Sequence, residues 1–219
     1  MYHPRLRQSL RRQGVALFTA LALQGAHAAV GEPQFQAAFQ QFQLAMKGDA
    51  AAVEQAADAF ARLAQGEPGD PVLLAYAGAA QAMKARAALM PWKKMGYAED
   101  GLAQIDKALQ LLQPAHDTLQ HRGTPASLET RFVAATTFLG LPSMFHREQR
   151  GAALLEQVLE NPLFAQAPLP FQGAVWMRAG QQAQKEGKAA DARHWFTEVV
   201  QHQAPQAEAA RARLAEMKA

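Results

Sequence analysis

Three side chains near the carboxyl end of the chain have types and a spacing that could ligate a metal ion. Asp191, His194 and Glu198 stand at positions i, i+3 and i+7, so a helix would place them on one face. Ala192 and Phe196 have the spacing of packing residues and would lie on the opposite face. We therefore predict a solvated charged stripe here and assign no metal ligands.

Covalent catalysis has few candidate residues in this sequence. Cysteine is absent and serine occurs at only three positions. There is no glycine-rich phosphate loop, no His-Glu-x-x-His helix and no Gly-x-Ser-x-Gly elbow. His116 and His121 flank Asp117, but their offset does not put both on one helical face, and we predict that they are surface residues. The sequence predicts neither an enzyme nor a bound cofactor.

A candidate binding site is predicted where two segments combine prolines, aromatic rings and basic side chains. The segments cover residues 89–97 and 139–147. Aromatic residues and arginine dominate interface energetics, and paired basic groups favour a carboxylate or phosphate. The predicted site residues are Trp92, Lys93, Lys94, Tyr97, Phe145, His146 and Arg147, with Arg131 on the preceding helix as a further candidate. The alternative is that Trp92, Met95, Tyr97 and Phe145 form a small core that holds two long loops, with the basic side chains solvated.

The helices that must position these residues are predicted by a pattern that occurs four times. In each copy a small residue is followed at +4 and +7 by apolar residues, and by a proline 11 to 13 residues after the small residue. This places three residues on one face of a helix that ends before the proline. The copies are Ala56, Phe60 and Leu63 before Pro68; Gly101, Ile105 and Ala108 before Pro114; Gly151, Leu155 and Val158 before Pro162; and Ala192, Phe196 and Val199 before Pro205.

A partner helix precedes each of these helices, because apolar residues recur there at intervals of three and four. The partner helices are predicted at 34–46, 71–89, 125–139 and 169–184. Small residues let the two helices of a hairpin approach closely, and the predicted contact pairs are Gly78 with Gly101 and Gly180 with Ala192. Residues 205–218 are predicted as a last helix with one apolar side and a charged back, which suits the end of a repeat array.

The fourth copy resembles a tetratricopeptide repeat (TPR) in residue types and spacing. Trp176, Gly180, Ala192, Phe196 and Val199 carry this resemblance, which extends in weaker form over residues of about 33 to 218. It implies an all-α, right-handed solenoid of about four hairpins. The implied repeats lie at about 33–68, 71–114, 125–162 and 169–205, followed by a cap at 205–218, within one domain of 29–219.

The second and third copies depart from TPR spacing. A TPR has about twelve residues between its two small contact positions, whereas 23 separate Gly78 from Gly101. We assign the excess to insertions at the two basic aromatic segments, which resemble those of a group of uncharacterised bacterial TPR-like proteins. Equivalent loops of adjacent repeats lie on the same edge of an array, so we expect the two segments to be neighbours.

The first 28 residues have the pattern of a cleavable export signal. Four arginines precede a short apolar run, and Ala26-His-Ala28 is a small-x-small cleavage site. Without these arginines the chain has 18 basic and 19 acidic side chains, about −1 in total, which gives nucleic-acid binding no electrostatic support. Together with the absence of cysteine, this predicts a periplasmic protein without a stable membrane anchor after cleavage.

The expected function is that of a non-catalytic adaptor or scaffold in the cell envelope. TPR grooves hold extended or helical segments of other proteins, so the resemblance implies a protein or peptide partner. The alternative function is binding of a small ligand with an anionic group by the basic aromatic segments.

Overall fold

Helical hairpins follow one another along the chain in the computed structural model, which describes residues 31–118 and 120–217. Nine α-helices occur in these ranges, and the described residues contain no β-strand, which confirms the all-α prediction. The helices are α1 (Glu32–Met46), α2 (Ala50–Gly66), α3 (Pro71–Ala87), α4 (Pro91–Gln110), α5 (Ala126–Gly140), α6 (Glu148–Leu159), α7 (Leu169–Lys185), α8 (Ala189–Gln201) and α9 (Ala207–Glu216). The predicted signal peptide at 1–28 lies outside the described residues.

Side-chain caps and glycines set several helix boundaries. Asp49 accepts the N–H of Ala52 at 3.1 Å at the start of α2, and Asp70 accepts the N–H of Val72 at 2.8 Å at the start of α3. Gly48 has a φ of +99° in the tight turn between α1 and α2, which favours glycine because it lacks a Cβ. These local features set the starts of α2 and α3, and the predicted start of the helix at residue 71 agrees with the structure.

The helices pack mainly against their neighbours in sequence. The pairs are α1 with α2, α3 with α4, α5 with α6 and α7 with α8, while α9 packs on α8. In addition, α2 packs on α3, and α3 packs on α5, which links successive hairpins. One continuous cluster of buried apolar side chains runs from Phe35 to Ala210. The fold therefore has a single core that extends through all four pairs.

Helices α3 and α4 touch through their backbones. A Cβ atom on Gly78 would lie 2.6 Å from the carbonyl oxygen of Gly101, and one on Gly101 would lie 2.5 Å from that of Gly78. Only glycine at both positions allows this approach, which confirms the predicted pair. A Cβ atom on Gly180, predicted to contact Ala192, would lie 2.5 Å from the ring of Phe196, on the same helix as Ala192.

The segment around Trp92 is not the long loop that the sequence predicted. Helix α4 begins at Pro91, so Trp92 to Tyr97 form its first two turns. Proline is favoured at the first helical position, because its missing N–H would have no partner there. The excess spacing of the second hairpin is therefore accommodated by a 20-residue helix. The segment before α6 is irregular, with a 3₁₀ turn at Ser143–Phe145.

Candidate functional site

A partly open cavity of ≈ 640 Å³ lies among helices α1, α3, α4, α5 and α7. Its wall is largely apolar, and its mouth includes Pro91 at the start of α4 and Pro142 before the 3₁₀ turn. The two basic aromatic segments therefore line one cavity, so the prediction that they are neighbours is confirmed. A volume of this size lies within the range of sites that hold organic ligands or anchor side chains. We call this site the cavity.

Methionine and small residues dominate the apolar wall of the cavity. Met46, Met83, Met95 and Met144 contribute thioethers from α1, α3, α4 and the 3₁₀ turn. Methionine is flexible and polarisable, so a surface built from it adapts to ligands of different shape. The small lining residues are Ala79, Ala82, Ala85, Ala98 and Gly140.

The rim of the cavity exposes large apolar side chains to solvent. Met46 is 56 % exposed and Met144 is 61 % exposed. The residues next to Pro91 are exposed as well, with Leu89 at 90 % and Trp92 at 69 %. Large exposed apolar side chains are therefore concentrated around a concave site, which makes this surface a candidate for binding.

Three cations line the cavity and no carboxylate does so within the part of the chain that the structure describes. They are Arg86 on α3, Lys94 on α4 and Arg178 on α7. None of the three side chains has an ion pair or hydrogen bond with another described residue. The cavity thus presents uncompensated positive charge beside apolar surface.

Arg178 is the least exposed of these cations. It is half-buried, and its Nε is buried without a hydrogen-bond partner among the described residues. Burial lowers the pKa of Arg178 from the usual arginine range. Thr136, which also lines the cavity, has a buried Oγ1 without a partner there, whereas the adjacent Thr137 donates to the carbonyl oxygen of Val133 at 2.9 Å.

The eight predicted site residues do not form one cluster. Lys94 and Phe145 line the cavity, but Trp92 and Lys93 do not, and both are exposed on the surface of α4. Since Trp92 is 69 % exposed, the alternative of a small private core around it is wrong as well. The physical reason is that a helix turns successive side chains by about 100°, so Lys93 and Lys94 face different directions.

Other predicted site residues are engaged outside the cavity. Arg147 donates through Nη2 to Oδ2 of Asp106 at 2.9 Å, and Arg131 donates to the carbonyl oxygen of Ser127 at 3.1 Å within α5. The Nζ of Lys84 lies 5.2 Å from the ring centroid of Tyr97. His146 is exposed in the left-handed conformation, with φ +51°, and borders a separate polar cleft.

A second polar cluster is buried beneath the connection between α4 and α5. Contrary to the prediction of a surface residue, His121 is only 6 % exposed. Its ring stacks on Phe35 with centroids 4.1 Å apart, and its Nε2 lies 2.9 Å from Oδ2 of Asp70. Asp70 also caps α3, so one carboxylate fixes both the helix start and the connection.

Arg122 extends this cluster and occupies a left-handed backbone conformation, with φ +56°. Its Nη2 donates to the buried carboxylate of Glu129 and lies 3.3 Å from the hydroxyl of Tyr76. The Tyr76 hydroxyl donates to the same Glu129 oxygen at 2.7 Å. The guanidinium lies 3.8 Å from the ring centroid of Phe39. We call Asp70, Tyr76, His121, Arg122 and Glu129 the buried clasp.

Burial dominates the titration of the clasp. It raises the pKa of Glu129, an effect that Arg122 opposes, and it raises the pKa of Tyr76. Both side chains are enclosed on all sides, with Glu129 at 0 % and Tyr76 at 4 % exposure. The clasp is therefore a packed ionic network that ties three helices and a connection together, without access for a ligand.

Sequence reasoning missed both Arg178 and the clasp. Glu129 lies within a helix whose neighbours are buried, and a lone carboxylate at such a position is a signal for an internal partner. Arg178 gave no comparable signal, because an arginine two residues after Trp176 fits the polar face of a TPR-like helix.

Neither a metal-binding cluster nor a membrane-spanning helix occurs in the part of the chain that the structure describes. No group of three histidine, aspartate or glutamate side chains in those ranges is placed to hold a metal ion. Within residues 31–118 and 120–217, no helix combines the length and the hydropathy that a membrane span requires.

No protein-family model, curated protein or solved structure matches this chain. Any proposal for the cavity must therefore rest on its own shape, charge and unpartnered atoms.

Proposed function

We propose that this protein is a non-catalytic adaptor that binds an apolar segment of a partner polypeptide in the cavity. The scaffold would be a TPR-like array, an interpretation supported by the four consecutive hairpins and by the close approach of Gly78 and Gly101. The export pattern of residues 1–28 supports a place in the bacterial periplasm.

The observation that carries this proposal is the methionine-lined cavity with its exposed apolar rim. Methionine surfaces accept the apolar face of an amphipathic helix or an extended segment, since they repack around different side chains. The exposed Met46, Met144 and Trp92 would contact the partner outside the cavity. A bound segment would remove this apolar surface from water, which is the main source of affinity.

A pair of tryptophan substitutions tests the proposal. Peptides that bind the purified protein are first selected from a displayed random library, and their affinities are measured by fluorescence anisotropy. Ala85 lines the cavity, whereas Ala87 is exposed on the same helix and does not line it. We expect Ala85→Trp to abolish binding by occupying the cavity and Ala87→Trp to leave it unchanged. Equal affinities for both variants would refute the cavity as the binding site.

Two adjacent lysines provide an independent control. Lys94 lines the cavity and Lys93 does not, although both are exposed on α4. Lys94→Glu should weaken peptide binding by about threefold to tenfold, whereas Lys93→Glu should change it by less than about twofold. The same effect from both substitutions would indicate a general charge effect rather than a site.

The second candidate function is binding of a small anionic amphiphile. The cavity volume of ≈ 640 Å³ and its unpaired cations favour this candidate. Dodecanoate is a suitable probe, and dodecanol is its uncharged match. Two results together would establish this function in place of the adaptor. Dodecanoate would bind saturably and Ala85→Trp would abolish that binding, while the selection would yield no peptide whose binding requires the cavity.

A further inference from the structure

Two buried polar atoms of the cavity have no partner within the described residues. They are Nε of Arg178 and Oγ1 of Thr136, on helices α7 and α5. A threonine hydroxyl in a helix commonly donates to the carbonyl four residues earlier, as Thr137 does. Thr136 does not, and neither do Thr124 and Thr130, but of these three only Thr136 lines the cavity. Folded proteins rarely leave such atoms unpaired, and each one requires an explanation.

The other half-buried arginines that the structure describes each have a partner. Arg122 is paired with Glu129, Arg147 is paired with Asp106, and Arg131 donates to the carbonyl oxygen of Ser127. The side chain of Arg178 has no such partner among the described residues, and it lies on the cavity wall. The missing partner of Arg178 would therefore be supplied by whatever occupies the cavity.

We propose that Arg178 and Thr136 bind a carboxylate carried by the partner polypeptide next to its large apolar side chains. The inference rests on the proposed adaptor function and adds the chemistry of the bound segment. A guanidinium presents parallel N–H groups that match the two oxygens of a carboxylate, and the threonine hydroxyl donates one further hydrogen bond. Arg86 and Lys94 stand nearer the solvent and attract the same negative charge.

The occupant is an acidic apolar segment because charge and surface both require it. The lining cations have no carboxylate among them, while the remaining wall is methionine, alanine and other apolar groups. A purely apolar segment would leave Arg178 buried without a partner, and a basic segment would be repelled. A segment with one aspartate or glutamate between apolar anchors satisfies both parts of the cavity.

A double-mutant cycle tests this inference. The displayed peptides that bind the purified protein should share an acidic residue flanked by large apolar ones. Replacing that glutamate by glutamine, or making Arg178→Gln, should each weaken binding by about tenfold or more, since either change leaves a buried charge unpaired. Both changes together should weaken binding little beyond either alone, because they remove the same interaction.

Matched variants separate recognition from general disturbance. Thr136→Val should weaken binding of the acidic peptide by about threefold and leave the affinity for its glutamine version unchanged. Thr137→Val should change neither affinity. Arg211→Gln removes an exposed arginine of α9 that does not line the cavity, and it should not change affinity. Arg178→Lys keeps the charge but not the planar donor pair and should recover only part of the affinity.

The outcomes distinguish this inference from the proposed function. Ala85→Trp identifies the peptides whose binding requires the cavity. If these peptides contain no acidic residue, the carboxylate inference alone is overturned. Additive effects in the double-mutant cycle would overturn it as well. Selection of no cavity-dependent peptide would overturn the adaptor function itself. Binding of dodecanoate in place of every peptide, with the same dependence on Arg178, would overturn the assignment to a polypeptide.

Discussion

The buried clasp and the cavity use the same side-chain types in opposite ways. In the clasp, Arg122 donates to the carboxylate of Glu129 and is covered by the ring of Phe39. In the cavity, Arg178 is half-buried without any such partner in the described chain. Both arginines are half-buried with an unpartnered Nε, but only Arg122 has a carboxylate partner among the described residues.

Under the proposed function, this difference separates a charge that holds the fold together from a charge that binds a ligand. A paired, enclosed cation contributes to one arrangement of the helices, and removing its partner leaves a buried charge that is costly. An unpaired cation beside an open apolar wall destabilises the free protein slightly and becomes favourable when a ligand arrives. The two regions should therefore respond to mutation with opposite signs of stability change.

The largest effect should come from breaking the clasp. Glu129→Ala leaves Arg122 half-buried without its carboxylate, and we expect the free energy of unfolding to fall by about 3–5 kcal/mol. Urea denaturation monitored by circular dichroism measures this change. Glu208→Ala removes an exposed glutamate of α9 and should cost less than about 0.5 kcal/mol. A loss below about 1 kcal/mol for Glu129→Ala would contradict the structural role of the clasp.

The second-largest loss of stability should come from separating α3 and α4, the helix pair that forms one wall of the cavity. Gly101→Ala would place a Cβ atom 2.5 Å from the carbonyl oxygen of Gly78, so α3 and α4 must separate. We expect a loss of about 1–3 kcal/mol in unfolding free energy. Gly96, on the same helix, has nothing within 4 Å of the position that a Cβ atom would occupy, so Gly96→Ala should stabilise the protein by up to about 1 kcal/mol. Similar losses for both would refute close helix packing.

Alkaline pH should weaken the clasp through Tyr76. Burial raises the pKa of Tyr76, so the unfolded chain loses this proton near pH 10 while the folded protein keeps it. The unfolded state then binds fewer protons, and stability falls as pH rises above about 10, by up to about 1.4 kcal/mol per pH unit. Tyr76→Phe should flatten this slope between about pH 9 and 11, whereas Tyr97→Phe should preserve it. An unchanged slope in Tyr76→Phe would assign the alkaline loss to other groups.

The smallest effect, and the one of opposite sign, should come from Arg178. Arg178→Met replaces a half-buried, unpaired cation by an apolar side chain of similar length, and we expect a gain of about 1 kcal/mol in unfolding free energy. The same denaturation experiment detects it. A loss of stability would show that Arg178 has a structural partner and would remove the contrast between the two regions.

Much of the fold was predictable because its signals are local. The small residue with apolar residues at +4 and +7 marked the second helix of each pair, and Asp49 and Asp70 cap the starts of α2 and α3. Pro91 was misleading, since a proline ends one helix and starts another with equal ease, and only the surrounding structure decides between them.

The candidate site was predictable only in part because it depends on which way each helix faces. Lys94 and Phe145 were placed correctly near one another by the break in repeat spacing. Arg178 and Thr136 were not, because they join the cavity through the packing of α5 and α7, and neither lies at a break in the repeat spacing. His121 was misplaced for the same reason, since its partners Phe35 and Asp70 are distant in the chain.

The connection between α4 and α5 has a consequence for the modularity of the array. The backbone N–H of Arg122 donates to Oε1 of Glu32 at 3.1 Å, across 90 residues of sequence. The first hairpin is therefore bonded to a segment that follows the second hairpin, and it contributes Phe35 to the cover of His121. We therefore expect that hairpins at this end cannot be deleted or added one at a time, and that the amino-terminal half unfolds as one cooperative unit, although its helices look like separate repeats.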